Sequence, residues 1–235
     1  MQTYMLEISM CPSLNDGGKT NTLFDKIKKD IALWRADVAK EENGVNITSI
    51  FKVTGEKKAM TVVKSSNPAY VDAIVGLLPA EYDVKVSALK PYEDFAKAVL
   101  KITDDKLTSP SPRNLPADGS TIMWVTGYVD YKERDDHENI LSIVSVLEDL
   151  PVRTKARTGK TYDELIEIWA EEAVAVLSTR QKGATFEVYK AVAERVVHFI
   201  TSMEQDALDN LIFGLPIVQK NGDQTKFIAK SVMLL

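Results

Sequence analysis

The chain has 235 residues and a mass of 26.1 kDa, with 45% hydrophobic and 27% charged side chains. That is enough apolar surface for a packed core and excludes a disordered tail protein. Twenty-nine basic against 34 acidic residues leave a net charge of -5, so no basic excess exists to displace counterions from a nucleic-acid backbone. One cysteine, Cys11, excludes an intrachain disulfide, and two histidines, His137 and His198, leave little material for a zinc or non-haem iron centre. The first ten residues lack the basic stretch and apolar core of a secretory signal. No apolar run approaches the ~18 residues of a bilayer span. A cytoplasmic protein with no membrane or nucleic-acid partner and no cofactor is the expectation.

Thr3–Met10 sets Tyr4, Leu6, Ile8 and Met10 against Met5, Glu7 and Ser9, a two-residue period that predicts a strand. Pro12–Lys19 is a turn. Leu23, Ile27, Ile31, Trp34 and Val38 then recur at helical spacing until Gly44. Asn46–Thr54 and Lys57–Lys64 read as two strands joined at Gly55-Glu56 by a two-residue hairpin connection. A helix opening at Asn67-Pro68 and ending at Pro79 leads to a fourth strand, Tyr82–Leu89. The order β-α-β-β-α-β is the ferredoxin-like pattern. A short helix over Tyr92–Ile102 and the proline-rich stretch Ser109–Ser120 follow as a linker.

Thr121–Asp130 begins the pattern again. Helix Tyr162–Thr179, strands Phe186–Val192 and Arg195–Thr201, helix Asp206–Phe213 and strand Lys226–Leu234 complete it. A constant shift of 138 positions lays Ala32 on Ala170, Phe51-Lys52 on Tyr189-Lys190 and Gly76-Leu77 on Gly214-Leu215 without a gap. The expected organisation is a first ferredoxin-like repeat at 1-91, a linker at 92-120 and a second repeat at 121-235. The second repeat carries an insertion at 131-160: a charged run (Lys132–Glu138), an amphipathic helix (Asn139–Leu150) and a basic stretch (Arg153–Lys160). It reads either as a lid or as cover for a sheet edge. Gly18-Lys19-Thr20 and Gly159-Lys160-Thr161 lack the upstream glycine of a phosphate-binding loop, Ser13 standing where the first would need it.

Two sheets that each carry helices on one face can cover their other faces by packing together as a barrel. The fold class expected is α+β, the two βαββαβ repeats forming an intrachain pseudo-dimeric α+β barrel around a semi-closed apolar pocket. Phe51–Pro91 resembles the C-terminal part of muconolactone isomerase. The shared features are a strand ending in a glycine turn, the small-polar opening of the second helix, Leu78-Pro79 at its end, and the closing Val84, Val86, Leu89 and Pro91. Lys90-Pro91 stands where that family carries His-Pro. The resemblance implies the dimeric α+β barrel superfamily, which includes isomerases, cofactor-free monooxygenases and duplicated haem proteins similar to chlorite dismutase.

The hairpin register sets Phe51 across from Met60 and, in the second repeat, Tyr189 across from His198. Two apolar partners have become titratable, and an imidazole beside a phenol is a candidate catalytic pair for moving a proton. Lys190 is a candidate substrate ligand. Being adjacent in sequence to Tyr189, it points to the other face, which Val197 and Phe199 mark as the helix-packed side, so its ammonium is expected to reach water at the sheet margin. Glu7, aligned with Val125, is a candidate proton shuttle, and Trp124 and Tyr128 share a face that can line an aromatic pocket. His137, within the charged run, reads as a solvated residue. The expected function is cofactor-independent acid-base chemistry, of isomerase, cyclase or monooxygenase type, on a small hydrophobic, lactone or polyketide-like molecule. The alternatives are a non-catalytic carrier or assembly protein, homo-oligomeric or not, and a haem protein with His198 as proximal ligand.

Overall fold

The computed structural model describes residues 1–11, 20–40, 44–108, 115, 122–130, 160–182 and 184–235. The expected insertion helix, the charged run with His137 and the proline-rich stretch other than Leu115 lie outside them. The first half runs β1 (Gln2–Met10), α1 (Thr20–Lys40), β2 (Val45–Val53), β3 (Lys58–Ser65), α2 (Pro68–Val75) and β4 (Tyr82–Pro91). Two short helices follow, α3 (Tyr92–Ala98) and α4 (Asp105–Thr108). The second half is β5 (Ile122–Val129), α5 (Tyr162–Gln181), β6 (Phe186–Ala191), β7 (Val196–Thr201), α6 (Gln205–Gly214), α7 (Pro216–Asn221) and β8 (Thr225–Leu234). Helix α7 has no counterpart in the sequence reading, which ends the preceding helix at Phe213 and leaves Pro216 unassigned. Pro216 occupies the first position of a new one, where its missing N–H costs nothing.

Local chemistry sets the helix starts. Asn67 caps α2 by accepting the Ala69 N–H at 3.0 Å, with Pro68 next in line. Thr161 and Glu164 open α5 with a reciprocal capping box.

The eight strands close into one antiparallel barrel in the order β1-β3-β2-β8-β5-β7-β6-β4. Each half supplies a contiguous four-stranded sheet, and the sheets meet at two seams, β2 with β8 and β4 with β6. Alternate residues divide between two environments. Inward side chains, among them Met5, Phe51, Trp124, Tyr189 and Ile200, form a central cluster. Outward ones join the helices: Leu6, Ile8 and Val63 pack against α1 and α2. Val125, Val188 and Phe199 pack against α5, α6 and α3. An eight-stranded barrel is just wide enough for its own side chains to fill. Phe51, Val62 and Ile200 are accordingly fully buried, and Leu115 packs against the same cluster. This corrects the expected semi-closed apolar pocket in the barrel interior: the middle of the barrel is packed.

Helix α3 continues directly from β4 and crosses to the other half. Its Tyr92, Phe95 and Ala96 belong to the core around α5, and Trp169 Nε1 donates to Tyr92 Oη at 3.0 Å. Glu93 and Arg180, both buried, form an ion pair alongside. Among the described residues no helix is long and apolar enough to cross a membrane.

Candidate functional site

The hairpin pairing sets the site. β2 faces β3 with Phe51 opposite Met60, and β6 faces β7 with Tyr189 opposite His198. Glu7 lies opposite Met60, and Thr126 lies opposite His198. Glu7 therefore corresponds to Thr126 and not to Val125, a correction of one residue. In a strand, one residue decides the face, so Glu7 points inward and Val125 outward.

His198 is 5% exposed and sits beneath Trp124, with ring centroids 5.9 Å apart. Trp124 Nε1 donates to its Nδ1 at 3.3 Å, and Thr126 Oγ1 lies 3.3 Å from the same atom. Burial pulls the imidazole pKa down to about 4; Glu7 opposes this, and Lys85 and Lys190 add to it. At neutral pH the ring is uncharged. An indole N–H can only donate, so Nδ1 holds the lone pair and Nε2 the proton. A haem iron needs the reverse, a bare Nε2 with Nδ1 donating to an acceptor. With Phe51, Trp124 and Ile200 filling the space around it, His198 does not fit a haem ligand. Among the described residues no group of three or more His, Cys, Asp or Glu side chains is arranged to hold a metal ion.

Tyr189 turns the other way. Its phenol donates to Glu187 Oε2 at 2.7 Å, and no hydrogen bond joins it to His198. Both Glu187 and Tyr189 line a cavity of about 900 Å³ at the β4–β6 seam. Leu89, Pro91 and Val192 give it apolar wall, and α3 and α5 close one side through Glu93 and Arg180. A cavity of this size suits a small organic molecule.

The other expected residues divide. Glu7 faces inward and pairs with Lys58 at 3.0 Å, each side chain about one quarter exposed. Trp124 is in the central cluster in a T-shaped contact with Phe51, 5.6 Å between centroids. Tyr128 is 44% exposed at the barrel end, beside a second cavity of about 650 Å³ with Arg195 and Lys226. Lys190 departs from the expectation that its ammonium reaches water. It is buried on the helix side, over the Phe95 and Trp169 rings, and donates to the carbonyls of Ala191 and Glu194. Lys52 does the same in the first half, over Phe24 and toward the carbonyls of Val53 and Glu56. Both lysines tie down the turn of their own hairpin, which is why a charge stands in mid-strand.

Two titratable groups were missed. Glu187 belongs to the strand read for Tyr189 and Lys190, and its position two before Tyr189 puts both on one face. Glu172 is 1% exposed on α5, with Oε2 unbonded, and burial pushes its carboxyl up to about 8. The constant shift of 138 positions pairs it with Trp34, whose indole donates to the Ile74 carbonyl at 2.7 Å. A carboxyl standing in place of a buried tryptophan was the available signal.

No protein-family model matches the chain, and no curated protein matches it. Solved structures do match in fold. Chlorite dismutase from Candidatus Nitrospira defluvii in complex with imidazole aligns at TM-score 0.53 and 10% identity, over 98% of this chain and 90% of that one. TA0507, named as a candidate chlorite dismutase, aligns at TM-score 0.52 and 11% identity, over 100% and 95%. A candidate monooxygenase from Lactobacillus acidophilus NCFM aligns over 100% and 94% at 9% identity, with a TM-score of 0.45. At such identity the likeness is one of fold and does not carry an activity. The chain has a mixed α+β architecture with a closed eight-stranded barrel, and in fold it is similar to these chlorite dismutase structures.

Proposed function

We propose that the protein binds a small, largely apolar molecule in the seam cavity and moves a proton on it without a cofactor, in a reaction of isomerase, cyclase or monooxygenase type. One observation carries this reading: the Tyr189 phenol, hydrogen-bonded at 2.7 Å to the Glu187 carboxylate, forms part of the wall of a 900 Å³ cavity. A carboxylate that accepts the phenol proton makes the phenol oxygen a better base, and it can return the proton to a product. His198, neutral and held by Trp124, acts from the adjacent strand by fixing the barrel floor on which Tyr189 rests. The same reading takes residues 1–91 and 121–235 as a tandem ferredoxin-like pair, supported by the matching lysines and by the like registers of the two hairpins.

A non-catalytic carrier with the same barrel is the second reading, favoured by the packed interior that screens His198 from a ligand. Native mass spectrometry and an absorption spectrum of the purified protein identify any molecule that travels with it. Turnover of that molecule should fall about 100-fold in Tyr189→Phe and Glu187→Gln with binding retained. Unchanged turnover in both removes these residues from the chemistry, binding without turnover in the parent protein establishes the carrier, and a Soret band overturns the cofactor-free reading.

A further inference from the structure

Charges around the seam cavity are unevenly satisfied. Of its carboxylates, Glu93 is paired with Arg180, Glu187 accepts the Tyr189 phenol, and Asp94 is exposed at the rim. Two lysines remain. Lys64 extends from the end of β3 on its inward face, and Lys90 stands near the end of β4 on the opposite face; both are half-buried. Neither ammonium makes an ion pair or a hydrogen bond among the described residues, yet both line the same cavity.

The pairing at the seam adds a second, independent observation. Lys90 lies directly across from Lys190, a like-charge pair in an antiparallel ladder. Such a pair destabilises a sheet. Lys190 escapes by turning to the carbonyls of Ala191 and Glu194. Lys90 has no such partner, and the repulsion leaves it facing the cavity. An anion in the cavity meets two unpaired ammonium groups at one wall and gains more than it would from a single lysine.

We infer that the ligand of the seam cavity is an amphipathic organic anion. A carboxylate, sulfonate or phosphate group meets Lys64 and Lys90, and an apolar body lies on Leu89, Pro91 and Val192. This rests on the reading of the cavity as the small-molecule site and adds the charge of its occupant. Lysine suits the role because its ammonium acts as a mobile point charge and does not impose the fixed fork of a guanidinium. Recognition is therefore by charge and shape, and several anionic head groups are accepted.

The test uses two fluorescent probes that differ by one group: 8-anilinonaphthalene-1-sulfonate and its uncharged parent N-phenyl-1-naphthylamine. Each is titrated into the full chain and into Lys64→Met, Lys90→Met and the double variant, with thermal melts to verify folding. The expected result is that the sulfonate binds at least about tenfold tighter than the neutral probe, a preference of about 1.4 kcal/mol. The preference should shrink in high salt and vanish in the double variant, while neutral-probe affinity stays within about twofold. Equal binding of the two probes overturns the charge assignment and leaves the cavity as a neutral-ligand site. A sulfonate preference that survives the double substitution also overturns it, by locating the anion elsewhere. If neither probe binds, the cavity reading falls, and this inference with it.

Discussion

Replacing Glu172 by glutamine should flatten the alkaline side of the protein's stability curve. The carboxyl is buried on α5 near Tyr92, and no charge offsets its burial. Its pKa rises from 4.5 to about 8 through desolvation alone. Below pH 4.5 the carboxyl is protonated in both folded and unfolded chains and contributes no pH dependence. As pH climbs from 4.5 toward 8, the unfolded chain releases the proton while the folded chain keeps it, so unfolding is increasingly favoured. Each unit of this interval costs about 1.4 kcal/mol. The cost reaches about 3 kcal/mol at pH 7 and levels off near 5 kcal/mol above pH 9. Glutamine has nearly the same shape and no proton to lose, so Glu172→Gln should gain stability relative to the parent protein progressively as pH rises above 4.5. Leaving the amide imperfectly bonded takes back about 1–3 kcal/mol at all pH values, which shifts the curve without changing its slope. Urea unfolding at pH 5, 7 and 9 reads both. Parallel curves for the two proteins would refute a neutral buried acid at this position.

Four other outcomes follow from the same geometry. Ala193 is the third residue of the Ala191–Glu194 turn in the β6–β7 hairpin, at φ +60, where the Val53–Glu56 turn of the β2–β3 hairpin has Gly55 at φ +74. Ala193→Gly should therefore stabilise by about 1 kcal/mol, seen as a rise of about 2–4 °C in Tm; a fall would mean that the turn is unstrained. A Cβ on Gly127 would come within 2.6 Å of the Phe227 ring. Gly127→Ala should cost about 1–3 kcal/mol, and Phe227→Leu in the same chain should recover much of it; an unaltered melt of the single variant would contradict the packing. The His198 ring proton, followed by NMR, should titrate near pH 4 because burial holds the imidazole neutral. Since that lowered pKa means the unfolded chain takes up a proton first, the group costs stability as pH falls below about 6.5, and a midpoint near 6.5 would show that the ring is solvated. Long-range nitrogen correlation should place the proton on Nε2, and Trp124→Phe should release that preference.

Much of the strand and helix order was legible because apolar periodicity reports directly on which face is buried. The hairpin registers were legible too, since a short connection fixes the sum of paired positions: Phe51 meets Met60 and Tyr189 meets His198 as expected, although each connection has four residues and not the expected two. What could not be read was direction beyond the backbone. Tyr189 and His198 share a face, yet their polar atoms turn to Glu187 and to Trp124, choices set by rotamers and neighbouring strands. Lys190 looked like a ligand for an outside molecule, but its partners are carbonyls of its own turn. Glu7 was aligned one position off because the strands before α1 and α5 match at a shift of 119 while the hairpins match at 138, and no local signal marks where the shift changes. The packed interior was missed for another reason: whether a barrel holds a cavity depends on summed side-chain volume, which face periodicity does not measure.

The two seams bear on the order in which the molecule can be built. β4 finds its partner in β6 and β2 finds its partner in β8, the final strand of the sequence. A chain emerging from the ribosome therefore carries β2 and β4 as open edges until β8 and β6 have been made. Open strand edges are templates for pairing with other molecules. Helix α3 is in the same position: Tyr92 and Phe95 have nothing to cover until α5 has been synthesised. Tying Lys52 and Lys190 to the carbonyls of their own turns holds each hairpin closed in the interval. The charge at mid-strand thus also guards an unfinished sheet, since a lysine on the helix-facing side of a strand is a poor neighbour for a stray strand.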